Sequence, residues 1–137
     1  MLRRRFYDET PLALLVVPVL VMSVSAADVS GIWEMGLKAD WTSIPELVCN
    51  FSQKGQELTG SCRAAREPNG KPVDLNAGKV DGDTISCQWN VVTPDGETWT
   101  YALTGTVDPN GTMMKGAFKL SSRSGGGGGG SFTGKKQ

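Results

Sequence analysis

From Gly31 to the C-terminus, apolar and polar residues alternate in short segments broken by turn residues, with no run of helical period. A period of two held over so long a stretch restricts the chain to an all-β fold. Eight strands are expected, at about residues 31–39, 46–53, 57–64, 74–81, 84–92, 97–107, 112–120 and 131–136. Their even spacing and tight turns argue for consecutive antiparallel pairing.

The turns sharpen this reading, because hairpin loop length sets which residues face each other and must therefore bring two apolar faces together. A two-residue turn at Asn110-Gly111 pairs Val107 with Met114 and Leu103 with Phe118. A three-residue loop Pro94-Asp95-Gly96, with Gly96 left-handed, pairs Val91 with Trp99 and Trp89 with Tyr101. A two-residue turn at Gly82-Asp83 sets Val80 against Ile85 and Gly78 against Cys87. All three turns agree on one inner face, which carries Trp33, Met35, Leu37, Leu47, Cys49, Phe51, Leu58, Cys62, Ile85, Cys87, Trp89, Val91, Trp99, Tyr101, Leu103, Met114, Phe118, Leu120 and Phe132. The opposite face carries Glu34, Lys38, Asn50, Ser52, Thr98, Thr100, Thr104, Lys115 and Lys119. One dry and one wet face fit an eight-stranded antiparallel up-and-down barrel, with a β-sandwich as the alternative. The barrel is favoured because a meander of eight strands can pair its last strand with its first and leave no free edge.

Residues 1–27 have the zones of a secretory signal: Arg3, Arg4 and Arg5, an apolar run from Leu12 to Met22, and the small-residue ending "SVSAA". The apolar run is about half the roughly 20 residues that cross a bilayer, and Pro18 interrupts it. No membrane span is expected after cleavage, and the destination is the periplasm or the exterior. The whole chain has 14 basic and 14 acidic residues, of which the signal takes three and two. The remainder, residues 28–137, is a single domain near neutrality, expected to be monomeric and not to bind nucleic acid, which needs a concentrated positive face.

"SGIWEMG" resembles the first strand of lipocalins and of the avidin group, eight-stranded barrels whose Gly-x-Trp tryptophan plugs the closed end. The larger pattern, from "CNFSQKGQELTGSC" through "LTGTVDPNGTMMKGAF" to "GSFTGKKQ", is similar to small exported lipocalin-like bacterial proteins of unassigned function. The resemblance implies a barrel and leaves its cargo open. Biotin binding of the avidin kind is not implied, because that group has Asn two residues after the Trp and this chain has Met35. The C-terminal helix of most lipocalins is also missing from the pattern.

The composition argues against an enzyme. The chain has no His, which removes the commonest general base and most zinc sites. Asp81, Asp83, Asp95 and Asp108 fall in turns and Glu34 on the wet face, where solvated carboxylates are ordinary. No metal and no cofactor are expected. Three Cys in an exported chain suggest one disulfide and one free thiol. A four-residue loop Lys54 to Glu57 places Cys49 opposite Cys62, whereas a two-residue Lys54-Gly55 loop would make that bridge diagonal. The bond is therefore expected between Cys49 and Cys62, with Cys87 an apolar filler.

In an up-and-down barrel alternate connections lie at opposite ends. The tight turns share an end with the start of strand 1. The loops at 39–45, 65–73, 93–96 and 121–130 share the other, and that end is read as the mouth. The glycine run 125–130 is read as a slack loop returning the last strand to the first. The expected function is binding of a small apolar or amphipathic ligand in this mouth. Leu37, Leu47, Val91, Trp99, Leu120 and Phe132 would line it, Trp41 and Ile44 would form the rim, and Arg66 would meet a polar head group. The alternative is a solid-cored barrel that presents its loops to a protein or envelope component.

Overall fold

A computed structural model describes residues 28–137; the expected signal, residues 1–27, lies outside the described residues. Nine strand segments are formed: β1 (Gly31–Lys38), β2 (Leu47–Lys54), β3 (Glu57–Ala64), β4 (Val73–Asp74), β5 (Ala77–Asp81), β6 (Thr84–Val92), β7 (Thr98–Val107), β8 (Met113–Ser122) and β9 (Gly127–Lys136). They lie in the order β2-β1-β9-β8-β7-β6-β5-β3-β4, and pairing of β2 with β3 closes the ring. Because β4 and β5 both pair with β3, they form one interrupted stave, and the architecture is a closed eight-stranded antiparallel up-and-down barrel. The interruption falls at Leu75-Asn76. Leu75 N still bonds Gly60 O at 2.8 Å on β3, while Asn76 N bonds Gln88 O at 2.8 Å on β6.

The hairpin registers follow the pairing of apolar faces. Val80 meets Ile85, Trp89 meets Tyr101, Val91 meets Trp99, and Val107 meets Met114. The β7–β8 connection is held by Asp108, whose side chain accepts from the amides of Thr112 and Met113 at 2.9 and 3.2 Å. Cys49 faces Cys62 and Phe51 faces Gly60, as the sequence pattern requires. The loop there is tighter than the expected four residues: Lys54 and Glu57 pair, so only Gly55 and Gln56 turn. Gly55 makes this possible at φ 60°, a left-handed conformation that costs glycine no steric clash.

The glycine run departs from its reading as a slack loop. From Gly127 onward it is strand, and only Gly125 and Gly126 belong to the connection. Gly128 and Gly130 stand opposite Leu120 and Phe118, so the run is the upper half of a wall stave. A strand without side chains leaves inward space for its neighbours. A Cβ on Gly130 would lie 2.7 Å from the Phe118 ring, and one on Gly105 or Gly116 would lie 2.9 Å from the ring of Phe132. Phe132 therefore lies over the inner glycines of β7 and β8, where its burial contributes roughly 1.5–3 kcal/mol.

The lower end is sealed. Trp33 is fully buried and its Nε1 donates to Val29 O at 2.9 Å, while Val29 N donates to the Gln53 side chain at 2.9 Å. Val29 lies ahead of the first strand and was absent from the expected inner face. Its burial is tertiary, set by the indole beneath it. Among the described residues no polar or charged residue is buried, so the interior is dry from Trp33 up to Phe118 and Leu120.

Candidate functional site at the barrel mouth

The chain between β1 and β2, residues 39–46, has no strand pairing of its own and leans across the open end of the barrel. Between this segment and the upper ends of β6, β7 and β8 lies a cleft of about 240 Å³. Its walls are Trp41, Thr42, Ser43, Ile44 and Pro45 on one side and Val91, Thr93, Trp99, Tyr101 and Leu120 on the other. No charged side chain lines it. Burial falls off here as a mouth requires: Val91, Trp99 and Tyr101 are only half-buried, whereas their counterparts at the sealed end are enclosed.

Trp41 is seated by glycine. Its Nε1 donates to Gly129 O at 3.3 Å, and a Cβ on Gly128 would stand 2.6 Å from that nitrogen. Only a residue without a side chain lets the indole rest on β9. The ring remains 46% exposed, so it forms a rim rather than part of the core. Trp99 approaches Gly126, where a Cβ would lie 3.6 Å from the indole. Below the cleft Tyr101 stacks on Trp89 with centroids 5.1 Å apart and planes 7° from parallel, which fixes the ring that forms the floor. Burial pushes the Tyr101 phenol above its ordinary range, so it remains a neutral hydroxyl.

The facing loops are tied together. The Glu97 carboxylate accepts from Ser124 Oγ at 2.6 Å and Ser124 N at 3.2 Å, joining the β6–β7 connection to the β8–β9 turn. These hydrogen bonds hold the Glu97 carboxyl below the usual carboxylate range. Asp95 is lowered in the same way, first by the Thr93 hydroxyl and then by the Glu97 amide.

Of the residues expected in the mouth, Trp41, Ile44, Val91, Trp99 and Leu120 meet in this one cleft. Leu37 lies beside it, lining a shallower hollow behind the same segment. Three more of the expected residues lie outside this cleft. Phe132 is only 2% exposed and lies beneath the site over glycine. Leu47 is half-buried and packs on the core without lining the cleft. Arg66 is exposed and absent from the lining, because the segment after β3 folds back along the outer wall, where Pro68, Gly70 and Pro72 lie. Thr42, Ser43, Pro45, Thr93 and Tyr101 are the wall residues the sequence reading left out of the site. Tyr101 was recognisable, since pairing with Trp89 already placed it on the inner face near the mouth.

Cys49 and Cys62 are joined in a disulfide within the barrel wall, and both are buried. Cys87 is a free, buried thiol that desolvation pushes up to about 12, so no thiolate nucleophile forms at neutral pH. Among the described residues no three His, Cys, Asp or Glu side chains are grouped as a metal site would need, and no helix is long and apolar enough to cross a membrane. In comparisons with known proteins, no family model, no curated protein and no solved structure matches the chain.

Proposed function

We propose that the chain is an exported, non-enzymatic carrier that binds a small apolar or amphipathic molecule in the cleft at the barrel mouth. One observation carries this reading: Trp41, Trp99 and Tyr101 converge on an open cleft that no charged side chain lines. Concave sites with aromatic walls and a few hydroxyls are the usual form of small-ligand pockets. At about 240 Å³ the space takes one or two rings, or the end of a longer molecule whose remainder stays outside. The Cys49–Cys62 bond supports an oxidising destination, because cytosolic thiols are kept reduced. The periplasm or the exterior is the proposed site of action.

Native mass spectrometry of protein purified from its own host tests the reading. A retained small-molecule mass, lost in the Trp41→Ala variant, is the expected result. A bare protein mass together with no uptake of Nile red would refute it. The filled interior favours a second reading, a solid barrel that presents its loops to another protein. Co-purification of a stoichiometric protein partner with no small-molecule mass would select that reading.

A further inference from the structure

The outer wall of the barrel is polar almost throughout, with Lys38, Thr59, Ser86, Thr104, Lys115 and Thr133 facing water. The pattern is broken by Val92 at the end of β6, by Met113 at the start of β8, and by a patch on β1 and β2. Ile32 on β1 is 43% exposed, and Val48 on β2 stands diagonally beside it, both on the wet face. The segment after β3 folds back over this patch rather than out over the mouth. Its course is set by backbone bonds, Ala65 N to Glu46 O at 2.8 Å, Glu67 N to Ala64 O at 3.1 Å and Gly70 N to Glu67 O at 2.7 Å. Pro68 and Pro72 stiffen it further. The returning segment does not close onto the wall. A cleft of about 410 Å³ remains between them, larger than the one at the mouth.

The lining gives the cleft a definite chemistry. Ile32, Val48, Pro68 and Pro72 supply an apolar bed, Asn50, Ser61 and Gln137 supply hydrogen-bonding groups, and Arg63 has the only charged side chain among them. Arg63 faces Val48 across β2 and β3, is half-buried, and uses Nη1 on the Ala64 carbonyl at 3.3 Å. A guanidinium has five N–H donors, so most of this one is left for a ligand. The Glu34 carboxylate on the same wall accepts from Gln137 Nε2 at 2.7 Å and does not line the cleft; Asp74, opposite Ser61, lies outside it as well.

We propose that this outer cleft is a second binding site, separate from the mouth, for a small monocarboxylate with an apolar chain or ring. The carboxylate pairs with the Arg63 fork and the apolar body lies on Ile32, Val48 and the two prolines. The Arg63 fork matches the two oxygens of a carboxylate, and the apolar bed beside it suits a body that carries no second charge. The site does not depend on the mouth reading, since none of its residues is shared with the mouth.

The experiment is an NMR titration of the full, oxidised chain with octanoate and with 1-octanol at pH 7. These probes have the same chain length and differ in charge. Octanoate is expected to shift the methyl signals of Ile32 and Val48 and the side-chain amides of Asn50 and Gln137. Octanol is expected to bind the same place about tenfold to a hundredfold more weakly, the range that a charge-assisted hydrogen bond spans. Arg63→Gln should bring octanoate down to the level of octanol, and Arg63→Lys should recover part of the difference. Equal binding of the two probes to the native chain overturns the proposal, as do shifts confined to Trp41 and Trp99, or none at all. Because those comparisons use the native chain, a variant that fails to fold leaves the test intact.

Discussion

Replacing Trp41 by Ala separates a binding rim from a structural core residue, and the structure sets the size of both effects. The indole is 46% exposed, so about 100 Å² of apolar surface is covered, from the 150–250 Å² that an aromatic side chain can bury. At roughly 25 cal/mol/Å² that area is ~2.5 kcal/mol, and the 3.3 Å hydrogen bond to Gly129 adds ~0.5 kcal/mol. Against this stands the entropy of ordering a large side chain and its backbone in a segment with no strand pairing, about 2 kcal/mol. The expected net loss of stability is therefore about 1 kcal/mol, a fall in Tm of roughly 4 °C for a domain of this size. Affinity for a neutral apolar probe should fall about tenfold or more, because one of three aromatic walls is gone. Urea unfolding followed by circular dichroism measures the first quantity, and the emission of Nile red, read from the probe itself, measures the second. Gly128→Ala is the companion perturbation: its Cβ would stand 2.6 Å from Trp41 Nε1, so the ring must leave its seat while remaining in the chain. It should weaken Nile red binding as Trp41→Ala does. A loss of 3–5 kcal/mol with unchanged probe affinity, the signature of a core aromatic, would refute the reasoning.

Reduction of Cys49–Cys62, whose members lie 13 residues apart, should cost about 3 kcal/mol by loop-closure entropy; urea midpoints with and without a reductant measure it, and peptide mapping that found Cys87 in the bridge would contradict the wall drawn here. Before unfolding, Cys87 should resist alkylation at pH 8, since its thiol titrates near 12. The tie between Glu97 and Ser124 sets a pH dependence at the mouth. Hydrogen bonds lower the folded Glu97 value below its ordinary 4.5, so their stabilisation is present above that value and lost as pH falls through the folded one. Ser124 amide exchange, corrected for intrinsic rates, should be flat from pH 7 to 5 and rise only as the pH falls below the ordinary 4.5, and Glu97→Gln should remove the dependence.

The staves were legible wherever a turn and two apolar faces constrained each other. Trp89 against Tyr101 and Val107 against Met114 follow from loop length alone, since a slip of one residue would turn every side chain to the wrong face. The glycine run was illegible for the complementary reason: with no side chains, residues 127–130 carry no alternation, and their place in β9 is dictated by the neighbours Phe118, Leu120 and Trp41. In the candidate site, Trp41, Ile44, Val91, Trp99 and Leu120 were foreseeable because strand ends and long loops locate a mouth. Arg66 was misplaced because the course of residues 65–72 is set by tertiary bonds to Glu46 and by the outer wall, neither of which local pattern encodes. The outer cleft was invisible for the same reason.

Closure of the ring has a consequence for how the chain reaches its fold. The seam joins the first stave to the last, Trp33 to Lys136 and Leu37 to Phe132, and a contact across it such as Gln137 to Glu34 spans 103 positions. Every other neighbouring pair of staves is joined by a short connection and can form early; the seam can form only after β9 has been synthesised and released. Until then the nascent meander exposes two unpaired edges, β1 and β8, each ready to pair with another chain. Removal of β9, Gly127–Lys136, would take away the stave that joins those edges, so the shortened chain should partition to aggregates or proteolysis rather than persist as a smaller barrel.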